Sequence, residues 1–162
     1  LAKNLTEVES ISDDIIGTEY AAMLKNIYAI AAGMAHGLGY GDNFQSVLMS
    51  NGIREMKKFI RKVHKMKRNI NNSAYLGDLL VTGYSVFSRN RMFGNMIGKG
   101  YTVKSAQMEM SMIAEGYYAV KSAYKLNQEY GADTPIIDAV YKILYENKDA
   151  KTVFKALTDK LN

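Results

Sequence analysis

A chain of 162 residues, with 48% hydrophobic and 23% charged side chains, has the length and balance of one ordinary globular domain with a buried core. It contains no cysteine, which excludes a disulfide framework, a thiolate metal site and a cysteine nucleophile. The formal net charge of +5 is local: Lys57, Lys58, Arg61, Lys62, Lys65, Lys67 and Arg68 supply seven of the 21 basic residues, and the remainder carries −2.

Leu1 to Ser10 includes Lys3, Glu7 and Glu9 and has no apolar run, so it does not read as a signal peptide. A first residue other than methionine reads as a trimmed or excised fragment, and a cysteine-free chain fits the cytoplasm. Apolar spacing is helical almost throughout, and no stretch alternates as a strand does. The first helix runs from Gly17 to about Leu38, through GTEYAAMLKNIYAIAAGMAHGL, and the glycines of Gly37-Leu38-Gly39-Tyr40-Gly41 end it. Asp42 caps a second helix that continues to about Lys65. A polar loop at Asn69 to Ser73 leads to shorter helices at about Leu76 to Gly83 and Ser88 to Gly98. Thr102 caps another through Met110. A long helix from about Ile113 to Tyr130 stops at Gly131. Thr134 caps a helix that Pro135 opens and that runs to about Asn147, and Asp149 caps the last, through Leu161. The expected architecture is one all-α domain, a helical bundle around the central apolar first helix, with residues 1–12 as an interdomain segment.

Between Tyr20 and Leu38 the only strongly polar side chains are Lys25, Asn26 and His36. A helix apolar on all sides is either a membrane span or the centre of a bundle. A Lys-Asn pair near the middle is costly in lipid, and the amphipathic helices around it favour the bundle. Lysine is almost never fully buried without a partner. Lys25 therefore either snorkels to the surface or faces a polar cleft, where it can serve as an acid or base.

Asp78 sits in the apolar run Leu76 to Val81, where a carboxylate is expensive unless paired. Ser88-Arg89-Asn90-Arg91 opens a helix. Such a start binds anions through its free N–H groups, and an arginine adds a bidentate grip on phosphate. A serine cap followed by solvated arginines explains the same residues. Glu115 in Ala114-Glu115-Gly116 is a candidate ligand contact, although a glutamate in a first turn is more often a dipole-favourable surface residue. Gly37-x-Gly39-x-Gly41 follows a helix and lacks the dinucleotide spacing. His36 and His64 do not suggest a metal site, and the ten methionines read as core filler.

Several of these segments, in this order, resemble one family. IIGTEYAAMLKNIYAIAAGMAHGLGYGDN is similar to the opening of the C-terminal domain of NAD(P)-dependent glycerol-3-phosphate dehydrogenases, and LGDLLVTGYSVFSRNRMFG resembles their G-D-L-x-x-T followed by S-R-N-R-x-x-G. IAEG resembles a V-x-E-G segment, and TPIIDAVYKILYENKDAKTVFKAL is similar to the closing helices. The resemblance runs from about Asp13 to the end. It implies the helical domain shared with 6-phosphogluconate dehydrogenase-like enzymes, normally preceded by a Rossmann domain.

The resemblance also implies roles. Lys25 matches the general acid/base at the C2 oxygen. Lys25, Asp78, Ser88, Arg89 and Asn90 match contacts to glycerol phosphate, and Arg89, Ile113 and Glu115 match cofactor contacts, with no metal. The activity implied is interconversion of dihydroxyacetone phosphate and sn-glycerol 3-phosphate with NAD or NADP, a step of phospholipid biosynthesis, and the chain alone is expected to be inactive. Its expected partners are that small-molecule substrate and its own Rossmann domain, with a homodimer left open, no nucleic acid and no membrane span. Tyr75 stands where the family has a small residue. The Lys57 to Arg68 segment is more basic than the family requires. It raises the alternative of a helical module that binds nucleic acid or an anionic surface, although Phe59 is the only aromatic within it.

Overall fold

The computed structural model describes residues 15–65 and 76–162, without the side chains of Leu76, Asp78 and Thr82. The described residues form eight helices and no strand: α1 (Ile15–Gly37), α2 (Asp42–Val63), α3 (Leu76–Tyr84), α4 (Arg89–Gly98), α5 (Val103–Glu109), α6 (Glu115–Tyr130), α7 (Pro135–Tyr145) and α8 (Ala150–Thr158). The all-α architecture is the expected one. The expected interdomain segment, residues 1–12, and the loop at Asn69 to Ser73 lie outside the described residues.

Helix α1 is the axis of the domain. Leu24 and every residue from Ile27 to Ala35 are buried, because α3, α4, α6, α2 and α7 all pack against it. Its closest neighbour is α4, and the reason is two small-residue pairs at four-residue spacing. A Cβ on Gly33 would stand 2.1 Å from the Arg91 carbonyl oxygen, and one on Gly94 would stand 2.0 Å from that of Ile30. Gly37 and Gly98 meet one turn further on in the same way. The two backbones therefore touch directly, which any side chain at these positions would prevent. No helix among the described residues is long and apolar enough to cross a membrane.

The helix ends follow local chemistry. Ser88, Thr102 and Asp149 accept the N–H groups of Arg91, Ser105 and Thr152, so each caps its helix. Gly131 adopts a left-handed conformation (φ 63°) and closes α6. Two expected caps differ. Gly41, not Asp42, occupies the cap of α2, and Asp42 is the first helical residue, where its charge still suits the helix dipole. Thr134 precedes α7 but makes no capping bond. Its hydroxyl accepts from Asn127 Nδ2 at 2.9 Å and donates to Asp138 Oδ1 at 3.2 Å. The start of α7 is instead satisfied from α2: Glu55 accepts the N–H of Ile136 at 2.8 Å and that of Ile137 at 2.9 Å. Helix α6 begins at Glu115, two residues later than its apolar pattern suggests, because Met112 and Ile113 remain in the exposed α5–α6 loop.

Candidate functional site

Two helices begin at the same place on the surface. Ser88, Arg89 and Asn90 at the start of α4, and Glu115 at the start of α6, line a cleft of about 360 Å³ together with Asn26, Val81, Ser85 and Phe87. The positive ends of two helix dipoles converge there, beside the guanidinium of Arg89 and the carboxylate of Glu115. Arg89 is exposed at the mouth and Ser88 is spent partly on capping its own helix. Asn90 is almost buried, and its Oδ1 accepts the Gly116 N–H at 2.8 Å. That bond fixes α6 against α4 and leaves the Nδ2 donors as the part of Asn90 able to meet a ligand.

The approach of α6 to α1 depends on Gly116. A Cβ there would meet the Asn26 carbonyl oxygen at 2.7 Å and Asn90 Oδ1 at 2.8 Å. Asn26 lies on the cleft wall, and Lys25, half-buried, precedes it on α1. The structure thus brings Ser88, Arg89, Asn90 and Glu115 into one cleft and sets Lys25 next to a wall residue. Ile113 is 58% exposed in the α5–α6 loop, two residues before Glu115. Asp78 falls on α3, and its side chain is outside the described part of the structure, as is Tyr75.

Sequence reasoning missed Ser85, Phe87 and Val81 as wall residues. Ser85 and Phe87 belong to the α3–α4 turn, and Phe87 is 88% exposed. The signal available was an aromatic in a polar turn directly before the Ser-Arg-Asn start. The turn is held by Arg91, which donates from Nη1 to the Gly83 carbonyl at the end of α3. Burial lowers the Arg91 pKa, against the pull of Tyr84 and Asp42. Two other clefts, of about 370 and 450 Å³, lie between α7 and α8 and beside the α4–α5 turn. They contain none of the expected site residues.

The basic segment of α2 is a solvated helix face. Lys57, Lys58, Arg61, Lys62 and Lys65 are exposed, while Met56, Phe59 and Ile60 face the core. Phe59, the one aromatic available for stacking on a base, is fully buried, and Lys58 pairs with Asp133 at 2.7 Å. Lys67 and Arg68 lie outside the described residues. Nothing in this face supports the nucleic-acid alternative. Among the described residues no three His, Asp or Glu side chains gather as metal ligands.

The geometry thus gives an all-α domain with one polar cleft built from two helix starts and an arginine. Comparison with known proteins narrows this. A family model described as NAD-dependent glycerol-3-phosphate dehydrogenase C-terminus matches residues 14–155, and the chain belongs to that family. A glycerol-3-phosphate dehydrogenase [NAD(P)+] of Chlorobium chlorochromatii is 42% identical over 152 residues, spanning 94% of this chain and 45% of that protein. One of Lactococcus lactis is 40% identical over 139 residues, spanning 86% of this chain and 41% of its own length. The crystal structure of glycerol-3-phosphate dehydrogenase from Coxiella burnetii matches with a TM-score of 0.86 and 34% identity, over 90% of this chain and 45% of that one. The chain therefore spans less than half the length of these relatives.

Proposed function

We propose that this chain is the substrate-binding and acid–base half of a glycerol-3-phosphate dehydrogenase, interconverting dihydroxyacetone phosphate and sn-glycerol 3-phosphate. The observation that carries the reading is the convergence of Ser88, Arg89, Asn90 and Glu115 on one cleft, whose wall residue Asn26 follows Lys25 on α1. The residues divide the work by chemistry. Arg89 grips the dianionic phosphate with its planar fork, aided by the helix N-terminus that it begins. Asn90, anchored through Gly116, donates from Nδ2 and orients the phosphate end. Lys25 gives a proton to the C2 oxygen on reduction and takes it back on oxidation, and its positive charge lies beside the developing alkoxide. Asp78, one helix away on α3, completes the ligand set for the substrate.

A nicotinamide nucleotide, NAD or NADP, supplies the hydride. This chain offers it a rim and not a cradle. Glu115 lines the cleft with Arg89 and Ile113 is exposed two residues before it, while the glycine-rich turn at the end of α1 follows a helix and not a strand. The remaining contacts belong to a Rossmann domain preceding this single helical domain, with residues 1–12 as the connection. The setting is the cytoplasm, in phospholipid synthesis, with small molecules and the Rossmann half as partners and a homodimer compatible with the exposed helix faces.

Two measurements test this. The full-length protein should oxidise NAD(P)H when given dihydroxyacetone phosphate. Residues 1–162 alone should give a helical far-ultraviolet circular dichroism spectrum and no turnover. Turnover by the isolated chain, or none by the full-length protein, overturns the reading.

A further inference from the structure

One contact at the cleft has no role in binding or proton transfer. Met112, in the α5–α6 loop, places its Sδ 2.9 Å from Nη1 of Arg89 and accepts that N–H. Met112 is 60% exposed, so small oxidants reach it. A thioether is a weak, neutral acceptor. It holds the guanidinium at the cleft mouth without competing strongly with a dianionic phosphate. Met34, Met49 and Met56, by contrast, are buried in the core.

We propose that Met112 is an oxidation site that gates Arg89, so that a peroxide lowers the affinity of the cleft for its phosphorylated substrate. The inference rests on the function proposed above. The sulfur lone pair attacks one oxygen of hydrogen peroxide, an S–O bond forms and the O–O bond breaks. The proton on the transferred oxygen passes to the departing hydroxide, giving water. Sulfur loses two electrons and the peroxide gains them. The product sulfoxide carries a strongly polar oxygen where a weak sulfur acceptor stood, within reach of the same guanidinium. Arg89 is then held by Met112 and must leave a good acceptor before it can grip phosphate. A thiol-dependent sulfoxide reductase restores the thioether, which makes the change reversible.

The test uses the full-length protein, treated with hydrogen peroxide at levels that oxidise the exposed Met108 and Met92. Peptide mass spectrometry reads the added oxygen at each methionine, and KM for dihydroxyacetone phosphate is measured before and after. Oxidation at Met112 is expected to raise KM by about three- to tenfold, the scale of one weakened charge-assisted hydrogen bond, with reversal by the reductase. Met112→Leu, compared with its own untreated sample, should lose the response, and Met112→Gln, which carries a permanent amide oxygen, should raise KM without peroxide. An unoxidised Met112, an unchanged KM after its oxidation, or an undiminished response in Met112→Leu each overturns the gate. Untreated full-length protein with no activity on dihydroxyacetone phosphate would instead overturn the underlying function, and the gate with it.

Discussion

The amide oxygen of Asn90 accepts the backbone N–H of Gly116 at 2.8 Å, and through that bond the start of α4 is fastened to the start of α6. One side chain therefore both builds the cleft and faces it. Asn90→Asp separates the two tasks. The carboxylate still accepts the Gly116 N–H, so the helices should stay joined. Its second oxygen replaces the Nδ2 donors and puts a negative charge in the cleft proposed to hold the phosphate. KM for dihydroxyacetone phosphate should rise about tenfold or more in the full-length protein, since a charged hydrogen bond is worth about 1.5–3 kcal/mol. Thermal stability should change little. A normal KM would limit Asn90 to joining helices.

Arg89→Lys keeps the charge and removes the planar fork. Steady-state kinetics of the full-length protein should show KM raised by roughly tenfold, with the fold unaffected because Arg89 is exposed. An unchanged KM would place Arg89 outside the phosphate site.

How much of this could be read from residues alone differs by scale. The helices were legible because their apolar periodicity and their caps at Ser88, Thr102 and Asp149 are local, and local signals survive folding. The substitution of Glu55 for Thr134 at the start of α7 was not legible, because that bond spans about eighty residues and depends on how α2 lies against α7. The Gly33/Gly37 and Gly94/Gly98 spacings were present in the sequence, but only the crossing of α1 and α4 shows which helices they join. In the cleft, Arg89 and Asn90 carried a signal as a polar helix start, whereas Val81 and Phe87 became wall residues through tertiary placement.

The α1–α4 contact should be intolerant of a single methyl group. In Gly94→Ala the new Cβ would lie 2.0 Å from the Ile30 carbonyl oxygen, which is backbone and cannot turn aside. The helices must separate, at a cost of about 3 kcal/mol or more. Differential scanning calorimetry should show a melting temperature lower by on the order of 5–10 °C. Gly39→Ala is the contrast, since open space surrounds that position but its φ of 90° requires glycine, so its penalty should come from backbone strain and be smaller. Equal losses would mean that close packing is not the dominant constraint.

Glu55 makes stability depend on pH. Burial raises its carboxyl pKa to about 8 from the usual 4.5, outweighing the Ile136 and Ile137 N–H groups that lower it, while Asp138 and Asp133 push in the same direction as burial. Between those two values the folded protein holds a proton that the unfolded chain has released. Stability from this group is therefore full below about pH 4.5 and declines as pH rises to about 8. The slope approaches roughly 1.4 kcal/mol per pH unit within that window. Glu55→Gln should remove this slope and lower stability at pH 5, since an amide offers one acceptor oxygen where two N–H groups need it. Urea midpoints measured from pH 5 to 8 for both proteins decide the matter, and identical pH slopes would show that Glu55 is ionised throughout.

Lys25→Met tests the chemistry most directly. Methionine keeps the length and apolar bulk of the lysine stem, so the packing of α1, where Leu24 and Ile27 through Ala35 are buried, should survive. On the proposed mechanism, what is lost is the proton donor and the positive charge beside the C2 oxygen. General acid catalysis is worth roughly 10²–10⁴-fold, and loss of the electrostatic contribution adds about 10²-fold. The effect should fall on kcat and leave KM little changed, because the proposed phosphate contacts at Arg89 and Asn90 are untouched. A lysine that merely extends its charge to solvent predicts the opposite, a near-normal rate. Measuring kcat and the melting temperature on the same preparation separates the cases. A lost rate at an unchanged melting temperature assigns the proton transfer to Lys25, and a wild-type rate removes Lys25 from the mechanism while leaving the phosphate site intact.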